Sequence, residues 1–211
     1  MSMTALQNNT YHLFKWRTEL TLTKKILLAI GMACLTGLVA QIRIPLPFTP
    51  IPITGQTFAV LLAGILLGKN WGGISQIIYA SLGIAGIPWF SGATGGTAIL
   101  LGPTGGYIIG FILAAFFLGY VSDKYVSARK FTPMLALMIV ANFVFIFIPG
   151  LIQLGLWMHI IKGQTPTLLE VLSLGMFPFI LGGLIKSFLA ATIATSIMPK
   201  KNLPIKLTVD N

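Results

Sequence analysis

The sequence predicts an all-α fold, an integral membrane bundle of six transmembrane helices. Three observations carry that expectation. Hydrophobic residues make up 55% of the 211 positions and charged residues only 9%, against roughly 25% charged in a soluble domain. The mean hydropathy is +0.90. The polar residues fall in short gaps between apolar runs, as they do in the loops of membrane proteins. So few charges cannot dress a soluble surface. One membrane domain over 22–198 is therefore expected, with a polar cytoplasmic segment at 1–21 and a basic cytoplasmic tail at 199–211.

The first helix is expected over 22–41. It follows Lys15, Arg17, Lys24 and Lys25, as a signal-peptide core would, but the apolar run 26–42 is longer than such a core and no small-x-small site ends it. A retained helix is the expectation. Prolines at 45, 47, 50 and 52 exclude helix over 43–54, because each removes a backbone donor and pushes the preceding residue towards extended geometry. Helices follow over 56–67 and 74–85 with a turn at 68–73. Both are short for a bilayer that needs ~20 residues per crossing, so they are expected to tilt or to end beneath protein.

The connection 86–106 is Gly-rich and contains Pro88 and Pro103. Irregular backbone at membrane depth persists only where it is buried in protein or lines a cavity, which makes this segment the first candidate for a binding site. Helices over 107–121, 133–159 and 174–197 complete the six. The fifth is expected to bend near Pro149 and Gly150, and the sixth carries Pro178 early.

Charge sets the expected topology. Six spans put both termini on one side, and that side then holds eleven of the fourteen Lys and Arg residues. The opposite side holds Arg43 and Lys162, and Lys186 lies inside the sixth helix. Basic loops favour the cytoplasm, so both termini are expected inside a prokaryotic plasma membrane. The Pro-rich loop, the Gly-rich loop and the Lys162 loop then meet on the outer face. The net charge of +10 is explained by this loop bias, and no basic patch interleaved with polar and aromatic residues points to nucleic acid.

Lys186 is the sharpest single signal. It sits about a dozen residues from either end of its helix, where an ammonium costs at least ~2.5–3.5 kcal/mol. Glu19, Asp123 and Asp210 belong to the cytoplasmic side and Glu170 to the outer end of helix six, so no acid is placed to pair with it. A bound carboxylate is then the expected partner, against the alternative of a lysine in a water-filled pocket.

Two Gly-rich motifs, 92–96 and 102–106, allow close backbone approach to a ligand, with the hydroxyls of Thr94 and Thr104 beside them. Tight turns at helix ends would explain the second equally well. Neither is a P-loop, since no Gly-Lys-Ser/Thr follows, so any ATPase must be another chain. Trp71, Trp89 and Trp157 fit interfacial anchors as well as ligand-stacking rings. Ala29, Ala33 and Gly37 recur every four residues on one stripe of helix one, which suits either a partner helix or packing within the bundle. Cys34 is the single cysteine, so no internal disulfide forms. No His, Cys and carboxylate set stands at metal-ligand spacing, and a Ser91–His159 dyad would lack an orienting third group.

Four segments resemble the BioY family of biotin transporters: PFTPIPITGQTFAVLLAGILLG at 47–68, GIPWFSGATGG at 86–96, LGPTGGYIIGF at 101–111 and GMFPFILGGLIK at 175–186. The resemblance spans about 22–197. It implies the S-component fold, the substrate-binding subunit of an energy-coupling factor (ECF) transporter, which joins a membrane coupling subunit and two ABC-type ATPases. It implies biotin as transported ligand, no cofactor and no enzymatic step. The family's small-residue stripe, which contacts the coupling subunit, maps to Ala29 and Ala33, with Gly37 beyond them. The C-terminal signature usually reads Pro-Gly-Asp-x-x-Lys; here Lys186 is kept and Gly183 stands where Asp is expected. Asn is common near the position of Thr94.

Biotin suits the residues at hand. Gln56, Thr94, Gly95, Gly96 and Tyr107 are expected to serve its polar ends, and Trp89, Phe90 and Trp157 to wall its rings. Gly183 and Lys186 complete the expected site, with either end of the ligand open to Lys186. The alternative is an ion-coupled carrier for another small organic anion or vitamin, which the scarcity of intramembrane carboxylates disfavours.

Overall fold

A computed structural model describes residues 5–200, with side chains from residue 10 onward. The expected basic tail falls almost wholly outside the described residues, and Lys201, Lys206 and Asp210 fall there with it. The chain opens with α1 (Ala5–Glu19) and α2 (Leu22–Ala40). The two-residue strands β1 (Arg43–Ile44) and β2 (Ile53–Thr54) pair antiparallel across the Pro-rich loop, Arg43 opposite Thr54. Then come α3 (Gln56–Ile84), α4 (Thr97–Leu101) and α5 (Gly105–Lys124). A 3-10 turn at Val126–Arg129 leads to α6 (Phe131–Val140), a π-helical stretch at Ala141–Ile146 and α7 (Phe147–Ile160). Last are α8 (Leu168–Gly175), a 3-10 turn at Phe177–Phe179 and α9 (Ile180–Ile197).

Six crossings follow from these elements once α3 is read correctly. Its 29 residues contain one non-helical residue, Gly68, at φ 81° and ψ −179°, a conformation essentially confined to glycine. The chain reverses there. Gln56 and Tyr79, which would lie ~34 Å apart in a straight helix, are hydrogen-bonded at 2.7 Å. A Cβ on Gly72 would stand 2.7 Å from the Cα of Gly64. The expected turn over 68–73 is thus a single-residue reversal, and the second arm begins at once.

Helix six also starts earlier than expected, at Leu168. Thr167 and Glu170 form a capping box, Glu170 Oε2 accepting from the Thr167 amide at 2.7 Å and Thr167 Oγ1 accepting from the Glu170 amide at 3.3 Å. This satisfies two otherwise orphaned donors. Pro178 then tightens one turn into 3-10 form before α9 resumes. The fifth crossing, Phe131–Ile160, is disturbed at the π stretch rather than at Pro149 itself. The physical reason is that a proline ring collides with the carbonyl four residues earlier, here Phe145 inside the π stretch, so the irregularity lies a turn upstream.

Helix α5 runs through the centre and packs against both arms of α3 and against the 131–160 crossing. Lipid gives helices no hydrophobic reason to associate, so close packing of small residues must do it. A Cβ on Gly110 would stand 2.6 Å from the Cα of Ile146, and one on Gly64 2.5 Å from the Ala115 carbonyl. Apolar side chains such as Leu27, Leu38, Ile152, Leu181 and Phe188 are left exposed on the outside, where lipid covers them. At one end, α1 is fastened to the bundle: Arg17 pairs with Asp123 and donates to the Ile65 carbonyl at 2.9 Å, and the Lys69 amide donates to Asp123 at 3.0 Å.

Candidate binding site

At the other end, the Pro-rich and Gly-rich loops fold over the bundle. Each is fixed by side chains from several helices. Thr49 donates to the Leu174 carbonyl at 2.7 Å, tying the Pro-rich loop to α8. Thr54 donates to Gln56 Oε1 at 2.8 Å, and Gln56 Nε2 donates in turn to the Tyr79 hydroxyl at 2.7 Å. The Gly-rich loop is held by Gln41 at the end of α2. Its Nε2 donates to the Phe90 carbonyl at 3.2 Å and its Oε1 accepts from the Ala93 amide at 2.9 Å. Irregular backbone is tolerated here because protein side chains replace the bonds a helix would supply.

Between the loops and the helices lies a cavity of about 310 Å³, at the small end of the range for ligand sites. The loops contribute Arg43, Pro50, Ile51, Thr54, Phe90, Ser91 and Thr94. Gln56, Thr57, Tyr107, Phe111, Asn142, Phe147, Phe179, Gly183 and Lys186 line it from the helices. The walls are thus mainly aromatic and aliphatic, with polar groups at a few points, as expected of a pocket that orients one small molecule.

Lys186 donates to the backbone carbonyl of Thr54 at 3.0 Å and forms no ion pair among the described residues. Arg43 is the other charged residue on the wall, and no acidic residue lines the cavity. Asp123 is engaged by Arg17 at the far end, and Glu170 by its capping box. The cavity therefore carries two positive charges and no negative one. Apolar walls of low dielectric strengthen their pull on an anion.

Buried polar atoms without partners concentrate here. Among the described residues six such side-chain atoms occur, and four belong to cavity-lining residues: Thr57 Oγ1, Ser91 Oγ, and Nδ2 and Oδ1 of Asn142. Each buried unpaired group costs ~1–3 kcal/mol, and proteins rarely keep them without a use. The three residues that carry these four atoms all stand on the cavity wall.

Of the expected site residues, Gln56, Phe90, Thr94, Tyr107, Gly183 and Lys186 line the cavity. Gln56 has both polar atoms engaged within the chain, and Tyr107 donates to the Gly175 carbonyl at 2.8 Å, so both shape the wall. Trp89 is not on the wall. Its Nε1 donates to the Tyr79 carbonyl at 2.9 Å and its ring lies against Gly37, where an added Cβ would stand 3.3 Å from the ring. Trp157 is also off the wall, with the Lys162 ammonium 5.2 Å from its ring centre. Gly95 and Gly96 are packing and turn positions: a Cβ on Gly95 would meet the Ile87 carbonyl at 2.7 Å, and the Gly96 amide donates to the Gly83 carbonyl at 2.8 Å.

The small-residue stripe needs correction as well. Ala29 and Ala33 are 0% exposed within the chain itself, and Gly37 is covered by Trp89. The stripe is turned inward and serves internal packing, so it offers nothing to an outside helix. Ser91 and His159 do not meet: Ser91 lines the cavity, while His159 Nδ1 donates to the Gln164 carbonyl at 3.0 Å.

Sequence reasoning missed Asn142, Thr57 and Arg43 as wall residues. Asn142 is a polar residue within a long apolar run of sequence, the one signal that pointed to it. Arg43 passed for an ordinary loop charge.

Three comparisons bear on this geometry. The family model described as "BioY family" matches residues 7–202. A probable biotin transporter BioY of Methanothermobacter thermautotrophicus is 51% identical over 140 residues, covering 66% of this chain and 89% of the relative. A biotin transporter BioY of Thermotoga maritima is 38% identical over 151 residues, covering 72% of this chain and 83% of the relative. Among solved structures, the S-component for biotin from an ECF-type ABC transporter superposes with a TM-score of 0.73 at 26% identity, covering 95% of this chain and 96% of that one.

Proposed function

Because this chain belongs to the BioY family, we propose that it captures biotin in the cavity beneath the Pro-rich and Gly-rich loops and delivers it across the membrane as the substrate-binding subunit of an ECF-type transporter. It works without covalent chemistry. The observation that carries the reading is the combination of two wall cations, Lys186 and Arg43, with no acid beside them and with unpaired polar atoms on Thr57, Ser91 and Asn142. Biotin supplies what this wall requires: a carboxylate for a cation, a cyclic urea for the neutral polar groups, and a thiophane ring with an aliphatic chain for Phe90, Phe111, Phe147 and Phe179.

The cavity opens on the face opposite the Arg17–Asp123 cluster. The basic residues near that cluster, among them Lys15, Lys69, Lys124 and Lys130, favour the cytoplasm, so capture is from outside and both termini are inside. The chain carries no nucleotide-binding loop, so transport draws on a coupling membrane subunit and two ABC-type ATPases as partners. The inward-facing Ala29 stripe leaves the docking surface to other residues.

Titration calorimetry on the purified full chain tests this. Biotin should bind one to one and saturably. Absence of heat with biotin, together with saturable heat from another vitamin, would keep the fold and reject the ligand.

A further inference from the structure

Asn142 is 1% exposed, lines the cavity, and has neither Nδ2 nor Oδ1 hydrogen-bonded. A structural asparagine at this depth would turn its amide to a neighbouring carbonyl or hydroxyl, because leaving both ends unpaired costs ~1–3 kcal/mol for each. Two features of the fold set its place on the cavity wall. It lies in the π-helical stretch Ala141–Ile146, and such widened turns re-aim side chains and recur at functional sites. Opposite it stands Gly183, where a Cβ would come within 2.6 Å of Asn142 Nδ2. The missing side chain at 183 is the space that the amide occupies.

Resting on the biotin reading above, we propose that Asn142 reads the cyclic urea of the ligand. Its Oδ1 accepts from a ring N–H while its Nδ2 donates to the ring carbonyl. The choice between ligand ends follows from counting donors and acceptors. A carboxylate offers acceptors alone and would leave Oδ1 unpaired. A cyclic urea holds an N–H and a C=O side by side, and one carboxamide matches both. With no internal bond fixing its orientation, the amide can present either face to the guest.

This also orients the ligand. Asn142 and Lys186 each stand eighteen residues from the cavity end of their crossings, Phe131–Ile160 and Leu168–Ile197, so what each side chain reaches decides which end of the ligand it meets. Lys186 points back along α9 towards β2 and reaches the Thr54 carbonyl, and Arg43 lies on the hairpin itself. The carboxylate therefore faces the β1–β2 hairpin, where both cations meet Thr54, and the urea faces Asn142.

Calorimetry on the full chain with biotin and with 2-iminobiotin tests the assignment. In the protonated form of the analogue the urea carbonyl is replaced by a further N–H donor. Wild type should prefer biotin. Asn142→Leu should weaken biotin binding by about 10- to 100-fold. Asn142→Asp, nearly the same in shape, should shift the preference between the two ligands towards protonated iminobiotin by at least about tenfold, since a carboxylate accepts from two donors at once. The ratio between ligands within one variant does not depend on how much of that variant folds. Wild-type binding of biotin with an unchanged ratio in Asn142→Asp, or an unaffected Kd in Asn142→Leu, overturns this inference alone. A wild type that binds no biotin overturns the proposed function with it.

Discussion

Lys186 is a cation within an apolar bundle whose bond to Thr54 is to a neutral carbonyl. A residue kept for stability and one kept for binding respond differently to removal of that charge. Methionine fills similar space and suits hydrocarbon, and the ammonium it replaces costs ~2.5–3.5 kcal/mol on insertion scales. Lys186→Met should therefore weaken biotin binding by about 10- to 100-fold, while the ligand-free protein melts no lower than wild type. Calorimetry paired with thermal unfolding in detergent checks both halves. Unchanged binding with a lower melting point would make the lysine structural. A charge amid apolar residues is visible in any sequence, which is why Lys186 was legible. Trp89 shows the opposite. Its type suited a ligand wall, but the space above Gly37 and the carbonyl of Tyr79 draw its ring away from the cavity, and no local pattern encodes such a distant pair.

At the scale of elements, the fold turns on Gly68. Its backbone lies where a Cβ is strained in any case, and the added atom would also stand 2.6 Å from Asp123 Oδ2. Gly68→Ala should destabilise the protein by about 1–3 kcal/mol, read as a lower melting midpoint, with the loss shared by the Arg17–Asp123 contact beside it. A midpoint equal to wild type would mean that the reversal does not depend on glycine. The helices themselves were legible from apolar run length, and the Pro-rich loop from its four prolines. The single-residue reversal was not, because the glycines at 68, 72 and 73 looked like one loop, nor was the π stretch, because its cause, Pro149, lies outside it. The short α4 was hidden in the same way among the glycines of 86–106.

For the whole molecule, the two ends are chemically unlike. One gathers Arg17, Asp123 and Arg129 around Phe14, with each guanidinium 4.5 Å from its ring centre. The other holds the two loops and the cavity. The orientation proposed above predicts how each end meets water. In a Cys34→Ser background, Lys162→Cys should react with a membrane-impermeant maleimide in intact cells, and Ser127→Cys only after permeabilisation. The reverse pattern would place the cavity mouth inside and reject capture from outside. The charge asymmetry behind this orientation is readable from sequence. The partner surface is not, since the stripe that suggested it is buried between α2 and the rest of the bundle.

The most direct measurement is a high-resolution structure of the full chain saturated with biotin. The ligand is expected under the two loops, its urea against Asn142 beside Gly183 and its carboxylate towards Lys186 and Arg43. Biotin found elsewhere, or bound with Asn142 and Lys186 both untouched, would contradict this placement.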